Sequence, residues 1–154
     1  MKKAFFYETM MGKTGLAEED GKLTNVFFTG TVFPETFEMQ ETPLLKNTAR
    51  QLAEYFAGKR QKFEIPLNPQ GTDFEVAVWQ ALLSIPWGVT RSYKNIAEQI
   101  GRPKAFRAVG RANALNPISI IIPCHRVIGA NGQLVGYSAG LELKEKLLQL
   151  EGKN

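Results

Sequence analysis

The first third of the chain is written in short runs where apolar and polar residues mix. KKAFFYETM, KTGLAEE and KLTNVFFTG read as strands, and Asp20 with Gly21 supplies a hairpin turn between the last two. A small antiparallel sheet is therefore expected. At Thr42 the apolar period lengthens to that of a helix. Thr42 can cap, Pro43 suits the first helical position, and Leu45, Ala49, Leu52 and Phe56 recur at helical spacing up to Gly58. That helix is expected to cover one face of the sheet. KFEIPLNPQGT then predicts a strand near Phe63 to Ile65 and a linker over residues 66–71.

A second unit begins after the linker. Thr72 and Glu75 have capping-box spacing, and Phe74, Val78, Ala81, Leu82 and Ile85 form an apolar stripe that stops at PWG. Ser92 can cap the next helix, whose face is Tyr93, Ile96, Ala97 and Ile100, with Gly101 as the stop. A further helix is expected to start at Pro103 and to run until Asn116 and Pro117 break it, so the pair joined across GRP reads as a helix-turn-helix. The last helix, LELKEKLLQLEG, puts Leu143, Leu147 and Leu150 on one stripe, pairs Glu142 with Lys146, and ends at Gly152. The expected architecture is α/β: a sheet-plus-helix domain over residues 1–68, then a mostly helical domain over 69–154 carrying the helix-turn-helix.

Composition narrows the class. The 154 residues are 44% hydrophobic and 22% charged, values of an ordinary globular protein, and no internal repeat or low-complexity stretch is present. One cysteine excludes an intrachain disulfide, and one cysteine with one histidine cannot build the usual four-ligand structural zinc site. A metal-independent, intracellular protein is expected. The apolar run in MKKAFFYETMM ends at Glu8, too short for a signal peptide or membrane span, so a cytoplasmic location with no membrane association is expected.

The net charge of +4 favours a polyanionic partner only weakly. Its placement says more. On a helical wheel Lys104, Arg107 and Arg111 fall within about 60° of one another, with Ala105, Phe106 and Val109 roughly opposite. Ala108 lies among the basic residues and keeps that face low, which suits close approach to a duplex. A solvated charged face is the competing explanation.

The chemistry concentrates in IIPCHRVIG, where the only cysteine, Cys124, precedes the only histidine, His125. A thiol with a pKa of about 8.5 is mostly protonated at neutral pH, so a nucleophilic Cys124 needs a base. On an extended strand neighbouring side chains point to opposite faces, so direct Cys124–His125 bonding needs a sharp bend, which Pro123 could set, or a relaying water. The imidazole would also need an orienting acceptor; Glu151 is one of several carboxylates that spacing alone does not choose between. A buried, inert cysteine beside a satisfied histidine remains the competing reading.

IIPCHRVIG, GYSAGLELKEKLLQLEG and the intervening pattern from Phe74 to Glu151 closely resemble the DNA repair alkyltransferases, the methylated-DNA–protein-cysteine methyltransferases that act on O6-alkylguanine. The N-terminal third is compatible with that family's variable domain. The resemblance implies irreversible alkyl transfer to Cys124, with His125 as base through a water and Glu151 orienting the imidazole. It implies that Asn116 braces the active-site segment and that Tyr93 lies near the rotated phosphate and the guanine pocket. Val127, Tyr137 and Ser138 would hold the flipped base. Arg107 would fill the space the nucleotide leaves, with Lys104, Ala108 and Arg111 on the same DNA-binding helix.

The implied partner is double-stranded DNA containing O6-alkylguanine, met by a monomer that turns over once without a cofactor. Ala139 departs from the family's usual glycine and is expected to narrow the pocket against bulky adducts. Two other readings stand beside this one. A non-catalytic lesion-binding relative would normally lack the cysteine, and a thiol hydrolase would leave the basic helix unexplained.

Overall fold

The computed structural model describes residues 1–28, 36–129 and 140–152, which divide into two compact units, residues 1–70 and 71–154. The first unit is built on strands β1 (Lys2–Thr9), β2 (Gly12–Glu19), β3 (Lys22–Phe28) and β4 (Phe37–Met39), in the order β3-β2-β1-β4. The hairpin expected at Asp20 and Gly21 forms, both residues having positive φ (53° and 76°), the backbone that a two-residue turn between twisted strands needs. The sheet is mixed rather than antiparallel. β4, only three residues long and unsignalled by any alternation, adds in parallel to β1 through Lys2–Phe37 and Ala4–Met39.

Helix α1 (Pro43–Phe56) starts where expected, with the Thr42 hydroxyl accepting from the Leu45 amide, and packs on β1 to β3. Its buried face is Leu45, Thr48, Gln51, Leu52 and Tyr55, so Tyr55 and not Phe56 is the core aromatic. Gln51 also explains why the expected strand at Phe63 to Ile65 is absent. Its side-chain amide accepts from the Glu64 amide (2.9 Å) and donates to the Glu64 carbonyl (3.4 Å), taking the groups a strand partner would have used. The chain meets the sheet one step later, through a single bridge of Leu67 to Leu23 on β3.

The second unit comprises α2 (Asp73–Leu83), β5 (Arg91–Ser92), α3 (Tyr93–Gln99), α4 (Phe106–Ala114), a one-turn 3-10 helix (Cys124–Arg126), β6 (Val127–Ile128) and α5 (Leu141–Leu150). Capping boxes at Thr72 with Glu75 and at Ser92 with Asn95 fix the starts of α2 and α3, each satisfying two otherwise orphaned backbone groups. α2, α3 and α4 pack on one another around Val78, Leu82, Ile96 and Val109, all fully buried, and Trp79 on α2 donates its indole N–H to the Ala112 carbonyl at 2.9 Å.

The helix-turn-helix forms, but α4 begins at Phe106 and not at Pro103. Residues 102–105 make a β-turn closed by the Ala105 amide on the Arg102 carbonyl (2.9 Å), with Pro103 in the second position, which its fixed φ favours. Lys104 therefore lies in the turn, off the helix face it was expected to share with Arg107 and Arg111. Phe106 is also not a packing residue, being 46% exposed, because the buried stripe of the shortened helix is Val109, Ala112 and Asn113. Among the described residues no helix is long and apolar enough to cross a membrane.

Candidate functional site

The segment leading to Cys124 is apolar and buried from Ile118 to Ile122, and it is not extended. It coils through close backbone contacts, Ile121 amide to Ser119 carbonyl (2.9 Å), Ile122 amide to Ile118 carbonyl (3.0 Å) and Cys124 amide to Ile122 carbonyl (2.8 Å). Ile120 has φ of 75°, a left-handed backbone that a β-branched residue adopts only at a cost of roughly 1–3 kcal/mol. Asn116 holds the coil shut. Its side chain accepts from the Ile118 amide (3.0 Å) and donates to the Ile122 carbonyl (2.8 Å), so both ends of the loop hang on one amide group.

Of the strand and the bend left open at Cys124 and His125 the chain takes the bend, a 3-10 turn with Pro123 in front of it at φ −81° and ψ 66°. Three residues per turn remove the strict alternation that set the two side chains on opposite faces. Asn113 donates to the Cys124 carbonyl at 3.2 Å, fixing the turn to α4. The parallel pairing of β6 with β5, Val127 beside Arg91 and Ile128 beside Ser92, then brings Tyr93 at the start of α3 to the thiol, close enough for the cysteine's charge to raise the phenol's pKa after burial has already done so.

The two residues after Cys124 enter a buried polar network with Glu151. His125 is fully buried, and its Nε2 lies 2.8 Å from Oε2 of Glu151. Arg126 grips the same carboxylate with both arms, Nε to Oε1 at 2.8 Å and Nη2 to Oε2 at 2.9 Å, and its Nη1 donates to the Ile85 carbonyl at 2.7 Å. A carboxylate held this way is an acceptor only, so Nε2 carries the imidazole proton and Nδ1 is the basic nitrogen. That Nδ1 is buried and has no hydrogen-bond partner among the described residues. Burial lowers the histidine's pKa, and the Glu151 contact opposes this only in part, so the ring is neutral and able to accept a proton.

Burial pushes the Cys124 thiol upward, and hydrogen bonding from Asn116, the charge of Lys144 and hydrogen bonding from Ser119 pull it back. Sequence reasoning missed Lys144. The buried stripe of α5 is Lys144, Leu147 and Leu148, followed by Glu151; of the expected Leu143, Leu147 and Leu150 only Leu147 is buried. Lys144, Leu147, Leu148 and Glu151 also repeat at helical spacing, a signal visible in the sequence but masked by the assumption that charged residues face water. Lys144 donates to the Val127 carbonyl, and desolvation lowers its pKa to about 8.

Lys144 gives a pH prediction. Its folded pKa of about 8 lies below the unfolded value of 10.5, so between these the unfolded chain binds the extra proton and stability rises with pH. The penalty is fully present below pH 8 and relieved above 10.5, by about 3 kcal/mol. Denaturant titrations across that window should show wild type gaining stability relative to Lys144→Met as pH rises.

On α4, Arg107 and Arg111 are exposed, Ala108 is half-buried, and Gly110 occupies the helix interior. Packing does not demand that glycine. A Cβ there would meet the Tyr93 ring at an ordinary 3.8 Å, yet glycine costs about 1 kcal/mol against alanine in a helix. Tyr137, Ser138 and Ala139 lie outside the described residues.

Residues 3–69 match the ribonuclease-like domain of 6-O-methylguanine DNA methyltransferase, and residues 73–153 match its DNA-binding domain. The chain belongs to the 6-O-methylguanine DNA methyltransferase family. Relatives named methylated-DNA–protein-cysteine methyltransferase include the constitutive protein of Bacillus subtilis, 46% identical over 94% of this chain and 92% of its own. Another, from Methanosarcina barkeri, is 55% identical over 75% of this chain and 73% of its own. A crystal structure of Mycobacterium tuberculosis OGT in complex with DNA matches with a TM-score of 0.91 at 45% identity, over 97% of this chain and 92% of that one. Cys124, the His125–Glu151–Arg126 network and helix α4 all fall within the match to the family's DNA-binding domain.

Proposed function

We propose that this chain repairs O6-alkylguanine in DNA by moving the alkyl group onto its own Cys124. The observation that carries the reading is the buried His125–Glu151–Arg126 network that begins at the residue after the thiol. Glu151 keeps the imidazole proton on Nε2, and a water passes the Cys124 proton to Nδ1. The charge of Lys144 favours the resulting thiolate. Sulfur attacks the alkyl carbon, the C–O6 bond breaks, and the electron pair withdraws into the guanine ring. Tyr93, at the edge of the site, aids protonation of the departing base.

The product thioether is stable, so each molecule reacts once and no dissociable cofactor takes part. DNA is the partner, and extrusion of the nucleotide is required because Cys124 is 2% exposed and cannot reach a stacked base. Val127 presents backbone to the flipped base while Tyr137 and Ser138 face it. Arg107 fills the vacated stack, supported by Lys104, Ala108 and Arg111. The protein acts as a cytoplasmic monomer. A purely lesion-binding role is disfavoured by the presence of Cys124 with a complete base relay and by relatives named as methyltransferases.

Intact-mass measurement after incubation with duplex DNA containing O6-methylguanine tests the reaction. One added methyl group, located on Cys124, is expected; an unchanged mass with DNA bound would restore the lesion-binding reading. For Arg107→Ala, transfer from duplex should slow by about tenfold or more, while reaction with free O6-benzylguanine should stay near wild type, because a lost stack-filling contact affects only extrusion. Equal losses on both substrates would move Arg107 into the chemistry.

A further inference from the structure

Phe106 is an aromatic side chain that neither the core nor the reaction described above uses. It is the first residue of α4, 46% exposed, and immediately precedes the exposed Arg107. Side chains in a first helical turn lean toward the N-terminus, so the two project from the end of α4 about 100° apart around its axis. One turn on from Phe106, and about 40° around, is Gly110, the glycine that packing does not require. Its bare flank, with the Tyr93 ring alongside, leaves a low strip on the helix one turn past Phe106. An exposed aromatic at the tip of such a strip fits the stacked edge of a nucleobase, which offers an apolar face whatever its identity.

We propose that Phe106 is a second wedge in duplex opening, its ring packing against the base step beside the extruded nucleotide on the Tyr93 side of α4. It is a positioning residue that touches the DNA and not the alkyl group. The assignment rests on the reading above, in which α4 presents Arg107 to the duplex. Two side chains then hold the opened duplex together. Arg107 fills the vacated stack, and Phe106 supports the neighbouring base that lost its stacking partner.

The test uses full-length wild type, Phe106→Ala, Phe106→Leu and Arg107→Ala. Single-turnover transfer is measured from O6-methylguanine duplex, from the same single strand, and from free O6-benzylguanine. A 2-aminopurine placed next to the lesion reports unstacking. Phe106→Ala should lower transfer from duplex by about tenfold, the scale of one lost base–aromatic contact, with a smaller loss on the single strand and none on the free base. Phe106→Leu, still an apolar wedge, should recover part of the duplex rate, and the 2-aminopurine signal should fall with the rate in Phe106→Ala.

Duplex transfer by Phe106→Ala at the wild-type rate would overturn the proposal, as would equal losses on all three substrates, which would mark a structural role. If wild type itself transfers nothing from duplex, the underlying reading fails as well. If wild type transfers and Arg107→Ala shows its duplex-specific loss while Phe106→Ala does not, the wedge alone fails.

Discussion

Cys124→Ala should bind alkylated duplex DNA and leave the methyl group where it is, with the protein's intact mass unchanged after any length of incubation. The expected loss of transfer is complete, because Cys124 is the chain's only thiol and water cannot replace sulfur as the acceptor that stays on the protein. Folding should survive. The side chain removed is small, and Asn113 and Asn116 brace the turn through the Cys124 and Ile122 carbonyls, which the substitution leaves intact. Circular dichroism and an electrophoretic shift with O6-methylguanine duplex check both points. Methyl transfer by the variant would remove Cys124 from its role.

Glu151→Ala should be the most damaging single change to stability, and it should lower activity too. Glu151 is 2% exposed and holds two buried groups, the Arg126 guanidinium through both oxygens and His125 through one. Deleting it strands a buried positive charge, a defect worth about 3–5 kcal/mol and readable as a large fall in the unfolding midpoint. Glu151→Gln separates the two roles. Its amide keeps the shape but can donate to Nε2, which moves the imidazole proton to Nδ1 and leaves that nitrogen unable to accept one. Transfer should fall by about a hundredfold or more while the stability loss stays smaller than for alanine. Stability and rate falling in parallel across both variants would mean that Glu151 only supports the fold.

Much of this fold is legible in the chain because the signals are local. Asp20–Gly21 dictates a hairpin whatever surrounds it, and the boxes at Thr72–Glu75 and Ser92–Asn95 start α2 and α3 from side chains within one turn. The motif at Cys124 and His125 is equally plain. Sequence and structure part where a distant group supplies the deciding bond. Glu64 reads as strand, but Gln51, thirteen residues earlier, takes its backbone groups. β4 exists only because β1 offers it an edge. The start of α4 is ambiguous because a proline fits a turn as well as a first helical position, and the Arg102–Ala105 bond decides for the turn.

The sequence by itself determined which residues could do chemistry here: one thiol, one imidazole, a basic helix, and a family pattern linking them. It could not determine the backbone path through Cys124 and His125 or what packs against the imidazole, since a strand and a bend at Pro123 were both open. Tertiary structure decided that by coiling Ile118–Ile122 under Asn116, turning Cys124–Arg126 into a 3-10 helix, and bringing Glu151 from 26 residues away onto His125. It also set Glu151, and not another carboxylate, against His125 and buried Arg126 on the same group. The physical reason is desolvation: a charged group leaves water only where a complementary partner waits, and which partners meet depends on how the chain packs, not on their spacing along it.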